Sequence, residues 1–259
     1  MNKSKFIACI LLASFTYASD SKLSGDPGEI FALRHDKEQF NNNMTIDRDG
    51  IKFILVPLPF NKQGSYIEID DIKIFVNEKD FGESRINVDS SMVTLSAENQ
   101  ERTKKESEII NKALNKYSRT HKSDLNFKMP LNGIISSKYG KKRFINGLPR
   151  SPHLALDIAA SSGTEIVAPE SGTVILVGNF FYSGNYLIID HGFGLLSSYS
   201  HLSKVNVNLD EYVDQGKKIG EVGATGRVTG PHLHWSIYLN KTRINPESLI
   251  VENYLDSIL

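Results

Sequence analysis

Apolar and polar residues alternate in short runs over most of this chain. Across residues 19–95 the segments IKFILVPLP, SYIEID and IKIFVNE switch with a period of two and are broken by Gly, Asn, Asp and Pro. That pattern predicts short strands closing into a small N-terminal β-sandwich, an accessory β-domain without a cluster of catalytic residue types. Residues 96–125 differ. LSAENQERTKKESEIINKALNKYS holds no Gly or Pro, Ser96 can cap its start, and Glu98/Arg102, Glu101/Lys105 and Glu108/Lys112 are spaced i,i+4. One charged α-helix is predicted, solvated along its polar first half, with SRTHKSDLN as linker. Over residues 126–259 strands return in GTVILVG, NYLIIDHG, LLSSYSHL, KKIGEVG and HLHWSIYL, and PESLIVENYLDSIL suggests a short helix covering one edge. The expected fold class is mainly β, with an antiparallel β-sheet domain at the C-terminal end.

Composition adds compartment and partners. Lys and Arg number 30, as do Asp and Glu, so the net charge is zero and nothing points to a nucleic-acid partner. Residues 1–18 read as a secretory signal peptide, with MNKSK as basic start, FIACILLASF as apolar stretch and TYA as small-residue cleavage site. About ten apolar residues fall short of the roughly 20 that cross a bilayer as a helix, so no stable membrane insertion of the mature chain is expected. The single cysteine, Cys9, lies inside that stretch, which leaves the mature chain without thiol chemistry.

The candidate chemistry sits in SPHLALDIA, SSYSHLS and TGPHLHWSI. Zinc takes imidazole nitrogen and carboxylate oxygen, and a catalytic site uses three protein ligands while leaving one position open. In HLHWSIYL, His232, His234, Ser236 and Tyr238 share one strand face, with the two histidines roughly 6.6 Å apart along the chain, so one can bind a metal while the other faces water or substrate. His153 and Asp157 would stand roughly 13 Å apart if extended, so the chain must bend between them; Pro152 argues against a helix there, and His153 is expected on a loop with Asp157 opening a strand. His35 and His121 stand in no ligand-spaced motif of the sequence, and His191 in DHG fits turn chemistry.

These segments resemble the lysostaphin/LytM-type zinc metallopeptidases that cut peptide bonds in bacterial peptidoglycan. The resemblance spans residues 126–248 and includes FKMPLNGIISSKYGKKRFINGLPRSPHLALDIA, GNYLIIDHGFGLLSSYSHLS and VDQGKKIGEVGATGRVTGPHLHWSIYLN. It implies one zinc ion per chain held by His153, Asp157 and His234, with His201 and His232 beside the metal-bound water as catalytic histidines. No His-Glu-x-x-His motif supplies a glutamate base, and histidine can carry the proton instead. Arg143 and Asn146 match positions that the family tends to fill with Arg and Asn, which suggests either substrate contacts or a role in structuring the loop. Ala155 stands where the family usually has Gly. The implied activity is a zinc-dependent endopeptidase on peptidoglycan cross-links, a D,D-endopeptidase first, acting in the periplasm or cell envelope. The alternative is a non-catalytic regulator that activates a cell-wall amidase, though such proteins typically lack metal ligands. A lipoyl-type carrier, suggested by APESGTV, lacks the displayed lysine. The β-domain and helix are expected to fold over the groove and restrain it, as accessory domains do in that family.

Overall fold

Strand alternation decides which residues meet, and the computed structural model, describing residues 23–35 and 43–259, shows the outcome. The N-terminal region holds β1 (Ile30–Arg34), β2 (Thr45–Arg48), β3 (Ile51–Pro57), β4 (Ser65–Ile69), β5 (Ile72–Val76) and β6 (Glu83–Ile86). One sheet runs β1-β3-β2, and a second pairs β4 with β5, which is flanked by Ser24–Gly25. Leu33, Ile54 and Val56 of the first sheet pack on Ile74 and Val76 of the second, which is the small sandwich that the period of two predicts. The opposite face of the first sheet is buried too: Ile30, Ile46 and Leu55 join the main core of the molecule. The signal-peptide segment lies outside the described residues.

Helix α1 (Ala97–Leu114) starts where the cap residue says it should, with Ser96 Oγ accepting the Asn99 N–H at 3.2 Å. Of the three expected pairs, Glu101 keeps Lys105 at 3.4 Å, whereas Arg102 turns forward to Glu106 at 2.7 Å instead of back to Glu98, and Glu108 and Lys112 form no ion pair with each other. The C-terminal half of α1 is packed as well. Ile110, Ala113 and Leu114 pack half-buried on Phe180, Tyr186, Ile188, Leu196 and Tyr238, so the C-terminal half of α1 lays an apolar stripe on the main sheet. The following segment is also anchored, for Leu125 is fully buried and Ser123 Oγ donates to Glu170 at 3.0 Å.

The C-terminal region contains β7 (Ile134–Ser137), β8 (Lys141–Ile145), β9 (Leu148–His153), β10 (Leu156–Ala159), β11 (Gly172–Phe180), β12 (Gly184–Asp190), β13 (Leu195–Leu202) and β14 (His232–Leu239). The main sheet runs β11-β12-β13-β14-β10-β7, with Tyr212–Val213 beyond β11 and Thr242–Ile244 paired to β14. A separate sheet of Glu165–Val167, Lys218–Glu221 and Lys204–Val205 contributes Ile166 and Ile219 to the core under the main sheet. Leu233, Trp235, Ile237 and Leu239 are fully buried in that core, leaving the other face of β14 to the site. Each such side chain contributes about 1.5–3 kcal/mol of burial. β6 pairs in parallel with β8, so the N-terminal region adds a strand to the hairpin that carries Arg143 and His153. The tail forms two short helices, Pro246–Leu249 and Tyr254–Ile258, and the Tyr254 hydroxyl accepts the Ile30 N–H at 3.3 Å.

Candidate metal centre and active site

Asp157 and His234 are cross-strand partners in the β10–β14 pair, which places their side chains side by side on one face of the sheet. His153 arrives from β9. It closes a strand rather than lying on a loop, and Pro152 beside it is accommodated at a register shift between Arg150 and His153, where the ladder needs no N–H. The bend at Ala155 then returns the chain into β10. Ala155 is fully buried with φ outside the left-handed region, so a methyl group is tolerated there.

The three donor atoms form a small triangle. Asp157 Oδ1 lies 2.7 Å from His234 Nδ1 and 3.0 Å from His153 Nε2, and the two nitrogens are 3.3 Å apart. Ligands at about 2.0–2.1 Å around a tetrahedral zinc stand about 3.3 Å from one another, so the set fits such an ion with little adjustment. Protonation agrees. Burial would raise the Asp157 carboxyl, but the His234 and His153 rings outweigh it and hold the group ionised, far below the usual carboxylate range. Burial pushes His234 down to about 4, with Asp157 partly opposing, so its ring is neutral at pH 7. His153 Nδ1 donates to the Lys138 carbonyl at 3.1 Å, which fixes the tautomer leaving Nε2 as donor to a metal.

His201 and His232 flank this triangle, their ring centroids 4.9 Å apart, with His201 5.8 Å from His234. His232 Nδ1 donates to Gly230 O and His201 Nδ1 to Thr225 O, each at 2.9 Å, so both Nε2 atoms keep a free lone pair. Burial, with His234 and His232 nearby, pushes His201 down to about 3. His201 is out of step with its strand. Ser198 and Ser200 face the site by alternation, and position 201 would point away. Its φ of 68°, with its N–H donated to Ser183 O at 2.7 Å, breaks the alternation and turns the ring onto the same face.

All five residues line one groove of about 560 Å³. Arg143 lines it as well, whereas Asn146 sits at the β8–β9 turn with its amide tied to Val88, accepting the N–H at 2.9 Å and donating to the carbonyl at 3.0 Å. Ser84 and Ile86 of the N-terminal region and Ile110 of α1 wall the groove, and Glu106 of α1 accepts the Phe181 N–H at 2.7 Å. Sequence reasoning passed over Arg227, Tyr182 and Arg243. Arg227 was visible only as a basic residue in the Gly-punctuated loop before His232. Gly226 permits that loop's close approach, for a Cβ there would lie 2.4 Å from Gly184 N. His191 is a buried structural residue, donating Nδ1 to Ser171 O at 2.8 Å and meeting Ser197 Oγ at 2.7 Å.

Residues 151–246 match Peptidase family M23. The peptidoglycan DD-endopeptidase ShyA of Vibrio cholerae is 38% identical over 112 residues, 43% of this chain and 26% of that protein. An uncharacterised metalloprotease of Buchnera aphidicola is 38% identical over 117 residues, 44% of this chain and 31% of that protein. The chain thus spans about a quarter to a third of the length of these curated relatives. A crystal structure from Pseudomonas aeruginosa described as an M23 peptidase is similar with a TM-score of 0.68 and 29% identity, covering 86% of this chain and 94% of that one. The matched segment, residues 151–246, is a peptidase family M23 domain by this similarity, and it holds His153, Asp157, His201, His232 and His234.

Proposed function

We propose that this protein is a zinc-dependent endopeptidase that hydrolyses peptide cross-links of bacterial peptidoglycan, the D,D bond first among them, with one zinc ion per chain. The observation that carries this reading is the convergence of three metal donors with two histidines whose Nε2 atoms are bare in the same groove. His153, Asp157 and His234 would hold the ion. Zinc bound there supplies a Lewis acid that polarises the scissile carbonyl and acidifies water.

The chain's own residues do the rest. The Thr225 and Gly230 carbonyls hold the Nδ1 protons of His201 and His232, which aims both Nε2 lone pairs into the groove. Each can therefore take a proton from the attacking water and return it to the leaving amine. The floor, with Ser198, Ser200 and Ser236 on the face shared with His234, offers hydroxyls to an extended peptide backbone. Complete donors support catalysis over the role of a non-catalytic amidase activator. Export to the periplasm or cell envelope follows from the signal-peptide reading of residues 1–18; among the described residues no helix is long and apolar enough to cross a membrane.

Purified protein incubated with isolated peptidoglycan is expected to release cross-link-cleaved fragments identifiable by mass spectrometry. A chelator is expected to abolish the release and added zinc to restore it. Cleavage that persists after the metal is stripped would sink the proposal, as would a zinc-loaded protein that cuts nothing.

A further inference from the structure

The groove carries an unbalanced charge. Among the described residues lining it, Asp157 is the only carboxylate, and it belongs to the metal donors. Against it stand three guanidinium groups: Arg143 from β8, Arg227 from the loop before β14, and Arg243 from Thr242–Ile244. None of the three makes an ion pair with any described residue. They are close enough to feel one another. Burial pulls Arg143 below the usual guanidinium range, Asp157 opposes this, and Arg227 and Arg243 add repulsion.

Each of Arg227 and Arg243 is also placed. Arg227 lies 4.2 Å over the Tyr182 ring, with Nη1 reaching the Met92 carbonyl at 3.4 Å, and Arg243 lies 5.3 Å over Tyr238. An aromatic face holds a guanidinium by its plane and leaves the N–H fork along its edge available. These three guanidinium groups, two of them held on aromatic faces and none ion-paired to a described residue, repel one another in the folded chain and acquire their counter-charge from a ligand.

We propose that Arg143, Arg227 and Arg243 form a carboxylate-reading clamp, so that this groove selects peptides bearing a free carboxylate beside the scissile amide over the same peptides with that group amidated. The inference rests on the endopeptidase reading for its peptide ligand. It adds which peptide is taken. A planar fork meets a carboxylate through two parallel charge-assisted hydrogen bonds, and a carboxamide offers one acceptor and no charge. Arg143, which feels Asp157, sets the clamp beside the metal donors, and Arg227 and Arg243 extend it along the groove.

The test is binding to the zinc-loaded full chain, read by fluorescence anisotropy with two labelled tetrapeptides of D-alanine. One contains a D-glutamate at its second position and the other a D-glutamine, and both are N-methylated at the following amide to block cleavage. The acidic peptide is expected to bind about tenfold tighter at low salt or better, a difference that salt reduces. Arg227→Gln and Arg243→Gln, each checked for unchanged circular dichroism, are expected to lose threefold or more of that preference separately, and the double variant to bind both peptides equally. Equal binding by the wild-type chain, no binding of either peptide at millimolar concentration, or a preference that survives in the double variant overturns the clamp. Because anisotropy reads binding without hydrolysis, an inactive protein that keeps the preference refutes the peptidase reading alone. An active peptidase without the preference refutes the clamp alone.

Discussion

Replacing His201 by Asn separates proton transfer from metal binding. Asn tolerates the left-handed backbone at φ 68° better than most residues, so the bulge that aims this side chain survives. The folded state loses the Nδ1–H bond to Thr225 O, worth about 0.5–1.5 kcal/mol net, and no sealed cavity is left because the ring borders an open groove. Zinc content is expected to stay at the wild-type value, since the donors come from β9, β10 and β14 while His201 belongs to β13. Turnover is expected to fall by about 10²–10⁴, the usual contribution of a positioned acid–base group, or about 2.7–5.5 kcal/mol of barrier. Measuring zinc by mass spectrometry, peptidoglycan digestion rate and the urea midpoint on one preparation tests all three parts. His234→Ala is the control that loses both zinc and turnover. More than a tenth of wild-type activity with full zinc would refute the proton-carrier role, and lost zinc would show that His201 supports the metal.

The remaining predictions probe acid stability and the groove's cover. His191 is fully buried and pushed down to about 4 by burial, so the unfolded chain binds its proton first as pH drops; its contribution is complete above about pH 6.5 and is lost as pH falls toward 4. That is about 3 kcal/mol at most, and metal-stripped His191→Gln is expected to show a flatter dependence of urea stability between pH 7.5 and 4.5; parallel curves would contradict it. Ile110→Asp puts a charge against the Phe180 and Tyr186 cluster and is expected to unseat the C-terminal half of α1, raising peptidoglycan digestion several-fold by opening the groove. An unchanged or lower rate in a folded Ile110→Asp protein would show that the helix does not restrain access.

Much of the site was readable because its signals are local. HLHWSIYL alternates with the strand period, and its two faces are the core and the groove that the pattern predicts. The Ser96 cap was equally visible, because an N-cap engages a neighbour three residues away. The packing of Ile110, Ala113 and Leu114 was not, since their partners lie on β11, β12, β13 and β14 and the helix's own composition is dominated by charge. Asn146 shows the same limit: its residue type suits substrate contact or turn structure, and its two bonds to Val88 become visible only once the N-terminal region packs against the hairpin.

By itself the sequence determined the strand periods, the helix start and, through its resemblance, which five residues to watch. Such information survives in a linear chain because it depends on residues a few positions apart. Only the tertiary structure decided that Asp157 faces His234 across the β10–β14 register, that a left-handed His201 swings onto their face, and that three arginines share the groove with no anion of their own. Those are meetings between distant segments, set by pairing register and packing, and no spacing along the chain encodes them.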